Sequence, residues 1–165
     1  MTNIAVVLGT ARENNFSQKV ARIVNDTLQE KNFQTEYVDI SDHLFGKTVS
    51  SGNESVKKWA EVINEVEGVI FITPEYNHSY PGELKILIDS LYHEYKGKVA
   101  GVVGVSAGQY GGVRAVEKLK DLLHTVNFRL AHSAVNVSGV QSDIDEAKIK
   151  DHLETVLSDM NKIGF

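Results

Sequence analysis

Residues 73–82 form the stretch of this sequence whose side chains are best suited to hold a small molecule. They read TPEYNHSYPG and contain both prolines of the protein. Each proline fixes its own φ and pushes the preceding residue away from helical conformation, so we expect a loop that is stiff at both ends. A stiff loop that offers acidic, amide, imidazole and hydroxyl groups can bind a polar ligand. These residues alone leave an ordinary surface loop open as the alternative.

A second candidate loop spans residues 9–17, between an apolar run and a helical pattern. A helix that begins there directs its free amides and the positive end of its dipole towards the loop. The hydroxyls of Thr10 and Ser17 and the guanidinium of Arg12 can add hydrogen bonds to a bound phosphate. The loop therefore predicts an anion site, without the glycine patterns of dinucleotide or NTPase folds. Taken singly, Ser17 can equally be a plain N-cap and Arg12 a solvated charge.

A third loop covers residues 106–112, and residues 104–108 at its start fit the pattern G-x-S-x-G of a hydrolase nucleophile elbow. Asp143 or Asp145, followed by His152, would complete the order of a serine hydrolase triad. Against this reading, the acid and base candidates fall in one amphipathic helix, and glycines after Ser106 delay the helix that should follow a nucleophile. We therefore predict that Ser106 hydrogen-bonds a bound ring, with the hydrolase as an alternative.

The elements that must position these loops alternate along the chain. Apolar runs rich in β-branched residues predict strands, and apolar residues at helical spacing predict helices between them. The predicted strands cover residues 4–8, 34–39, 69–72, 99–105 and 134–137. The predicted helices start with Ser17 as N-cap, cover about 55–66, follow Gly82, start near Gly112 and cover about 143–162.

Strictly alternating strands and helices imply an α/β protein with a parallel sheet between two helical layers. Five strands in 165 residues suit a flavodoxin-like three-layer sandwich with strand order 2-1-3-4-5, as a single domain over residues 1–165. In this order the ligand site lies at the switch point, beyond the carboxyl ends of the strands, where flavodoxins bind FMN. We expect the three loops to meet there.

Composition narrows the classes of function. The formal charge of −5 and the absence of a basic run argue against a nucleic-acid surface, and no apolar stretch approaches membrane-spanning length. The chain has no cysteine, which excludes disulfides and thiolate chemistry, and its six histidines show no metal-site spacing. We expect a cytoplasmic protein without a metal.

The three loops together resemble the NADPH-dependent FMN reductases, the flavodoxin-like group that includes azoreductases and quinone or chromate reductases. The resemblance rests on GTAR at residues 9–12 with a later Ser17, on PEYNxxxPGxLK at residues 74–85, and on GQYGGVRA at residues 108–115. The second motif is the specific one. In order and spacing the three cover the chain nearly end to end.

The resemblance implies FMN as cofactor, NADPH or NADH as co-substrate, and hydride transfer through FMN to a small-molecule quinone, azo, metal-oxyanion or flavin acceptor. No side chain is then required as catalytic acid or base. Asn14 and Asn15 stand where members often carry Gly-Arg, which leaves the choice of nucleotide open. The site residues implied are Thr10, Arg12 and Ser17 for the phosphate, Pro74, Glu75, Tyr76 and Asn77 for the ribityl chain and ring, and Ser106 and Gly108 for the other ring edge.

A one-electron flavodoxin-type carrier is the main alternative to an enzyme. By resemblance, such carriers have a hydroxyl-rich first loop and a strongly acidic surface. The charge of −5 is only mildly acidic, so we favour the reductase.

The apolar residues of the predicted third helix bear on the oligomeric state. Leu84, Leu87, Ile88 and Leu91 share one face, Ile86 lies on another, and in the resembling family this helix commonly pairs two subunits. We predict a homodimer, or a dimer of dimers. Light scattering at micromolar concentration should give at least twice the chain mass, and a monomeric mass would contradict the prediction.

Overall fold

The structure is a computed structural model that describes residues 3–43, 46–47 and 52–165. The strands are β1 (Asn3–Leu8), β2 (Gln34–Asp39), β3 (Gly68–Pro74), β4 (Val99–Val105), β5 (Arg129–Leu130) and β6 (Val135–Val137). The helices are α1 (Ser17–Glu30), α2 (Glu54–Glu65), α3 (Gly82–Asp89), α4 (Val113–Thr125) and α5 (Glu146–Lys162). Short 3-10 turns cover Ile40–His43 and His93–Tyr95.

The sheet has the predicted parallel order. Its strands run β2-β1-β3-β4-β5, with Leu8 of β1 paired to Asp39 on one side and to Ile72 on the other. The carboxyl ends of β1, β3 and β4 therefore lie side by side at one edge of the sheet. This confirms the flavodoxin-like α/β sandwich and brings the three predicted loops to the same edge.

The predicted fifth strand is two strands. β5 pairs with the start of β4 and β6 with its end, and the prediction over residues 134–137 covered only the second segment. Between them the chain leaves the sheet, and two side chains bond its backbone there. Lys120 donates to the carbonyl of His132, and Asp159 accepts from the amide of Ser133 at 2.9 Å.

Alternate residues of the central strands point to opposite helical layers. Val6 packs in one core with Val24 of α1 and Leu153 of α5, whereas Val7 packs in a second core with Trp59 of α2. All four valine and leucine side chains and Trp59 are fully buried. Each core thus uses one face of the same sheet, as the period of two in a strand requires.

Two helix starts differ from the predictions. Ser17 is the first residue of α1 and not its N-cap; the preceding Phe16 has a helical backbone, and Asn15 Oδ1 accepts from the amide of Gln18 at 2.9 Å. Helix α5 begins at Glu146, three residues after the predicted start. Its cap is Asp145, whose side chain accepts from the amide of Lys148 at 3.0 Å. In the described parts of the chain, no helix is both long and apolar enough to span a bilayer.

A buried aromatic pair joins α2 to the segment after α3. Trp59 Nε1 donates to the hydroxyl of Tyr95 at 2.8 Å, and that hydroxyl donates to the carbonyl of Ile88 at 3.1 Å. Both side chains are fully buried, and this burial raises the pKa of Tyr95 well above its ordinary value. The neutral phenol is therefore a structural hydrogen-bonding group.

Replacing Tyr95 by Phe should lower the free energy of unfolding by about 1–3 kcal/mol, because the buried indole N–H of Trp59 loses its acceptor. Urea unfolding followed by the fluorescence of Trp59 measures this directly. Tyr92→Phe is the matched control, since Tyr92 is 51% exposed, and it should change stability by less than about 0.5 kcal/mol. Equal effects of the two substitutions would contradict the assignment.

Candidate functional site

The three loops enclose a cleft of about 390 Å³ at the carboxyl edge of the sheet. Its position next to the β1–β3 pair is the switch point of this strand order. The structure places six of the nine predicted site residues in its wall, namely Arg12, Ser17, Pro74, Glu75, Tyr76 and Ser106. Thr10 is buried beneath the first loop, and Asn77 and Gly108 are exposed outside the cleft wall.

The wall contains further residues that the sequence reasoning did not select. Glu13, Asn14, Asn15 and Phe16 come from the first loop, and Val140 and Gln141 follow β6. The first four lie inside a loop that was predicted as a site, so they could have been found by taking the loop as a whole. Val140 and Gln141 had no local signal, because they reach the cleft only through the path of the chain after β6.

The cleft is polar on the side of the first loop and more apolar on the side of β4. The polar side carries Arg12, Glu13, two asparagines and Ser17 at the start of α1, where a helix dipole favours an anion. The apolar side carries Pro74, Val105, Ala107 and Val140. A molecule with a phosphate at one end and a flat ring at the other suits this distribution.

The first loop is held in shape by its own polar groups. Asn15 spans it: its Nδ2 donates to the carbonyl of Arg12 at 2.8 Å and its Oδ1 caps α1. Asn14 has a left-handed backbone with φ of 53°, a conformation that asparagine tolerates better than most residues. Gly9 begins the loop, and a Cβ there would lie 2.7 Å from the carbonyl oxygen of Ile72.

Thr10 connects the first loop to two other elements. Its Oγ1 lies 3.1 Å from the hydroxyl of Tyr76 and 3.3 Å from Glu83 Oε1, and it accepts from the amide of Arg12 at 3.3 Å. Glu83 Oε1 also accepts from the amide of Ala11 at 3.0 Å. Sequence reasoning missed Glu83, since an acid in the first turn of a helix is sufficiently explained by the helix dipole.

The second loop contains a tight two-residue turn. Tyr76 and Ser79 exchange backbone hydrogen bonds at 2.9 and 3.0 Å, and the residues between them, Asn77 and His78, have φ of 49° and 63°. Two successive positive φ values characterise a type I′ turn; they are uncommon outside glycine, although Asn and His adopt them more often than most residues. Such strained backbone is often found at functional sites.

Glu75 fixes the second loop to the third. Its amide donates to the carbonyl of Val105 at 3.0 Å, and its carboxylate accepts from the backbone amide of Arg114 at 3.1 Å and from its guanidinium at 3.4 Å. The side chain is only 11% exposed. A carboxylate held at the N-terminus of α4 in this way serves as a helix cap.

The third loop does not form a hydrolase triad. Ser106 Oγ donates to the carbonyl of Gly108 at 3.0 Å, whereas His152, Asp143 and Asp145 line a different cavity of about 230 Å³. Gly112, directly before α4, allows the chain to pack closely against β4. It has φ of 76°, and a Cβ there would lie 2.7 Å from the backbone nitrogen of Val105. Within residues 3–43, 46–47 and 52–165, no group of three or more His, Asp or Glu residues could hold a metal ion.

Replacing Glu75 by Ala should lower the free energy of unfolding by about 0.5–2 kcal/mol, because α4 loses its cap. Glu75→Gln keeps an acceptor for the Arg114 amide and should lose less. Arg114→Ala removes the ion pair with Glu75 and the contact of the exposed guanidinium with the Tyr110 ring, and should cost less than about 1 kcal/mol. Urea unfolding measures all three, and a loss for Arg114→Ala as large as that for Glu75→Ala would contradict the cap.

Comparison with known proteins agrees with this geometry. Residues 2–142 match the family model of the NADPH-dependent FMN reductases. The chain is 28% identical over 141 residues to an NAD(P)H-dependent FMN reductase of Saccharomyces cerevisiae, covering 73% of each protein. It is 34% identical over 129 residues to a quinone reductase of Pseudomonas putida, covering 73% of this chain and 69% of that enzyme.

Solved structures of flavoproteins superimpose on the chain. The flavoenzyme NAD(P)H:(acceptor) oxidoreductase of Paracoccus denitrificans superimposes with a TM-score of 0.80 at 27% identity, covering 99% of this chain and 97% of that one. A short-chain flavodoxin superimposes with a TM-score of 0.66 at 20% identity, a similarity that shows the fold alone. The family match spans most of the chain and includes all three loops of the cleft; the chain belongs to the NADPH-dependent FMN reductase family.

Proposed function

We propose that this chain is an NAD(P)H-dependent oxidoreductase that holds FMN in the cleft and reduces a small-molecule acceptor. The observation that carries the proposal is the convergence of three loops on one cleft. Helix α1 begins at its polar side, and its other side is more apolar. Its volume of about 390 Å³ lies within the usual range for small-molecule sites, about 300–1,000 Å³. The family membership supports the same assignment.

The first loop supplies the phosphate site in this proposal. The Arg12 side chain is exposed at the cleft wall and Ser17 is the first residue of α1, so a guanidinium and a hydroxyl lie near the positive end of the helix dipole. Charge-assisted bonds from arginine to phosphate are among the strongest hydrogen bonds in proteins. Thr10 acts from beneath the loop, where its hydroxyl accepts from the Arg12 amide.

The second and third loops hold the ribityl chain and the ring. Pro74 and Tyr76 form a rigid part of the cleft wall. The guanidinium carbon of Arg12 lies 5.8 Å from the centre of the Tyr76 ring. Glu75 keeps this wall in place through α4. Ser106 and Gly108 offer polar groups beside the apolar side of the cleft, and Asn77 lies next to it in the strained turn.

Bound FMN supplies the hydride chemistry, and the protein supplies binding, orientation and electrostatics. Two carboxylates near the cleft accept from backbone amides, Glu75 from that of Arg114 and Glu83 from that of Ala11. Their oxygens therefore hold backbone in place. A third carboxylate, that of Glu13, is exposed in the cleft wall. Phe16 is half-exposed at the rim of the cleft, where its ring can contact an incoming flat molecule.

We propose further that the protein acts in the cytoplasm as a homodimer. Exposed apolar side chains at Tyr92, Tyr110 and Val113, after α3 and around the start of α4, support a partner surface near the site. The acceptor is drawn from quinones, azo compounds, metal oxyanions and flavins. The quinone reductases among the relatives support the first of these classes.

Anaerobic addition of NADPH or NADH to the FMN-loaded protein should bleach the yellow absorption of the flavin at a rate that depends on nucleotide concentration. Subsequent addition of a benzoquinone should restore the colour. Protein that binds FMN but is not reduced by either nucleotide would support the flavodoxin-type carrier instead. Protein that binds no FMN at all would overturn both assignments.

A further inference from the structure

We propose that Glu83 is a positioning residue that orients the phosphate-binding loop through its carboxylate. The inference rests on the proposed function, because it concerns how the first loop presents its donors to the FMN phosphate. It assigns to Glu83 a role that its place on the helix does not suggest. The carboxylate lies in the first turn of α3 and bonds groups more than 70 positions earlier in the chain.

Two donors of the first loop converge on one oxygen of Glu83. The amide of Ala11 donates to Oε1 at 3.0 Å, and the hydroxyl of Thr10 donates to the same atom at 3.3 Å. Thr10 is fully buried, so water cannot replace this acceptor without rearrangement of the loop. Among the described residues, no Lys, Arg or His lies within ion-pair distance of Glu83. The carboxylate is thus used as a hydrogen-bond acceptor for the loop.

The carboxylate also sets the direction of the neighbouring hydrogen bonds. An ionised carboxylate only accepts, so the single proton of the Thr10 hydroxyl must point to Glu83. The two lone pairs of Thr10 Oγ1 then accept from the amide of Arg12 and from the hydroxyl of Tyr76. The one donor and both acceptor positions of the Thr10 hydroxyl are filled in this arrangement.

The consequence is a rigid connection between two walls of the cleft. Arg12 and Tyr76 both line the cleft, and both are held by the one hydroxyl whose proton Glu83 directs. Without an acceptor at position 83, the Thr10 hydroxyl is free to rotate towards other acceptors and the Ala11 amide loses its partner. We expect the donors of the first loop to lose their alignment for a phosphate.

Flavin titrations test the proposal, because FMN and riboflavin differ only by the phosphate. Glu83→Ala should weaken FMN binding by about tenfold or more and riboflavin binding by less than about threefold. Glu83→Gln keeps an oxygen acceptor and should remain within about threefold of the unaltered protein for both flavins. Quenching of flavin fluorescence gives both dissociation constants without any turnover.

Two further variants serve as controls. Glu61→Ala removes an exposed acid of α2, away from the cleft, and should leave both affinities unchanged. Arg12→Ala should lose FMN selectivity directly. If Arg12→Ala leaves the preference for FMN over riboflavin intact, the proposed phosphate site is wrong and the role of Glu83 falls with it.

If Arg12→Ala loses the preference but Glu83→Ala keeps it, the positioning role of Glu83 is overturned while the proposed function stands. Equal weakening of both flavins in Glu83→Ala, with a lower urea midpoint, would also overturn it, since Glu83 would then only stabilise the fold. Selective loss of FMN affinity, restored in Glu83→Gln, supports the proposal.

Discussion

The parallel pairing of β1 with its neighbours is the constraint on which the site depends. Leu8 pairs with Ile72, and the next amide, that of Gly9, donates to the same strand at the carbonyl of Ile72, 2.8 Å away. The first loop therefore leaves the sheet directly beside β3. Because β4 is parallel to β3 and β1, the loops that follow these three strands all begin at the same edge of the sheet.

Two carboxylates then connect these loops across the edge. Glu75 bonds the start of α4 and Glu83 bonds the first loop, and each accepts from a backbone amide of a different element. Acids near a cleft are usually the first candidates for proton transfer. Here their oxygens hold backbone in place, which suits a protein whose redox chemistry belongs to a bound cofactor.

Much of this could be predicted from residues 9–17, 73–82 and 106–112, because turn residues and prolines between periodic segments mark strand-to-helix loops. The alternation of strands and helices predicted the parallel sheet, and the number of strands suited the order 2-1-3-4-5 of flavodoxin-like folds. The prediction that Ser17 is the N-cap of α1 was wrong, because Ser17 is already helical and the path of the loop brings Asn15 Oδ1 to the amide of Gln18. The fifth strand was incomplete, because two residues such as Arg129–Leu130 are too few to show a period.

The sequence by itself determined the alternating α/β order, the three loops and the family motifs, because these depend on local composition and period. Only the tertiary structure decided that Thr10 lies beneath the loop, that Glu83 bonds Ala11 and that Val140 reaches the cleft. These contacts join residues far apart in the chain, as with the separation of 72 between Ala11 and Glu83. A hydrogen bond of that kind leaves no periodic trace in the sequence, since it depends only on where the fold brings one donor and one acceptor together.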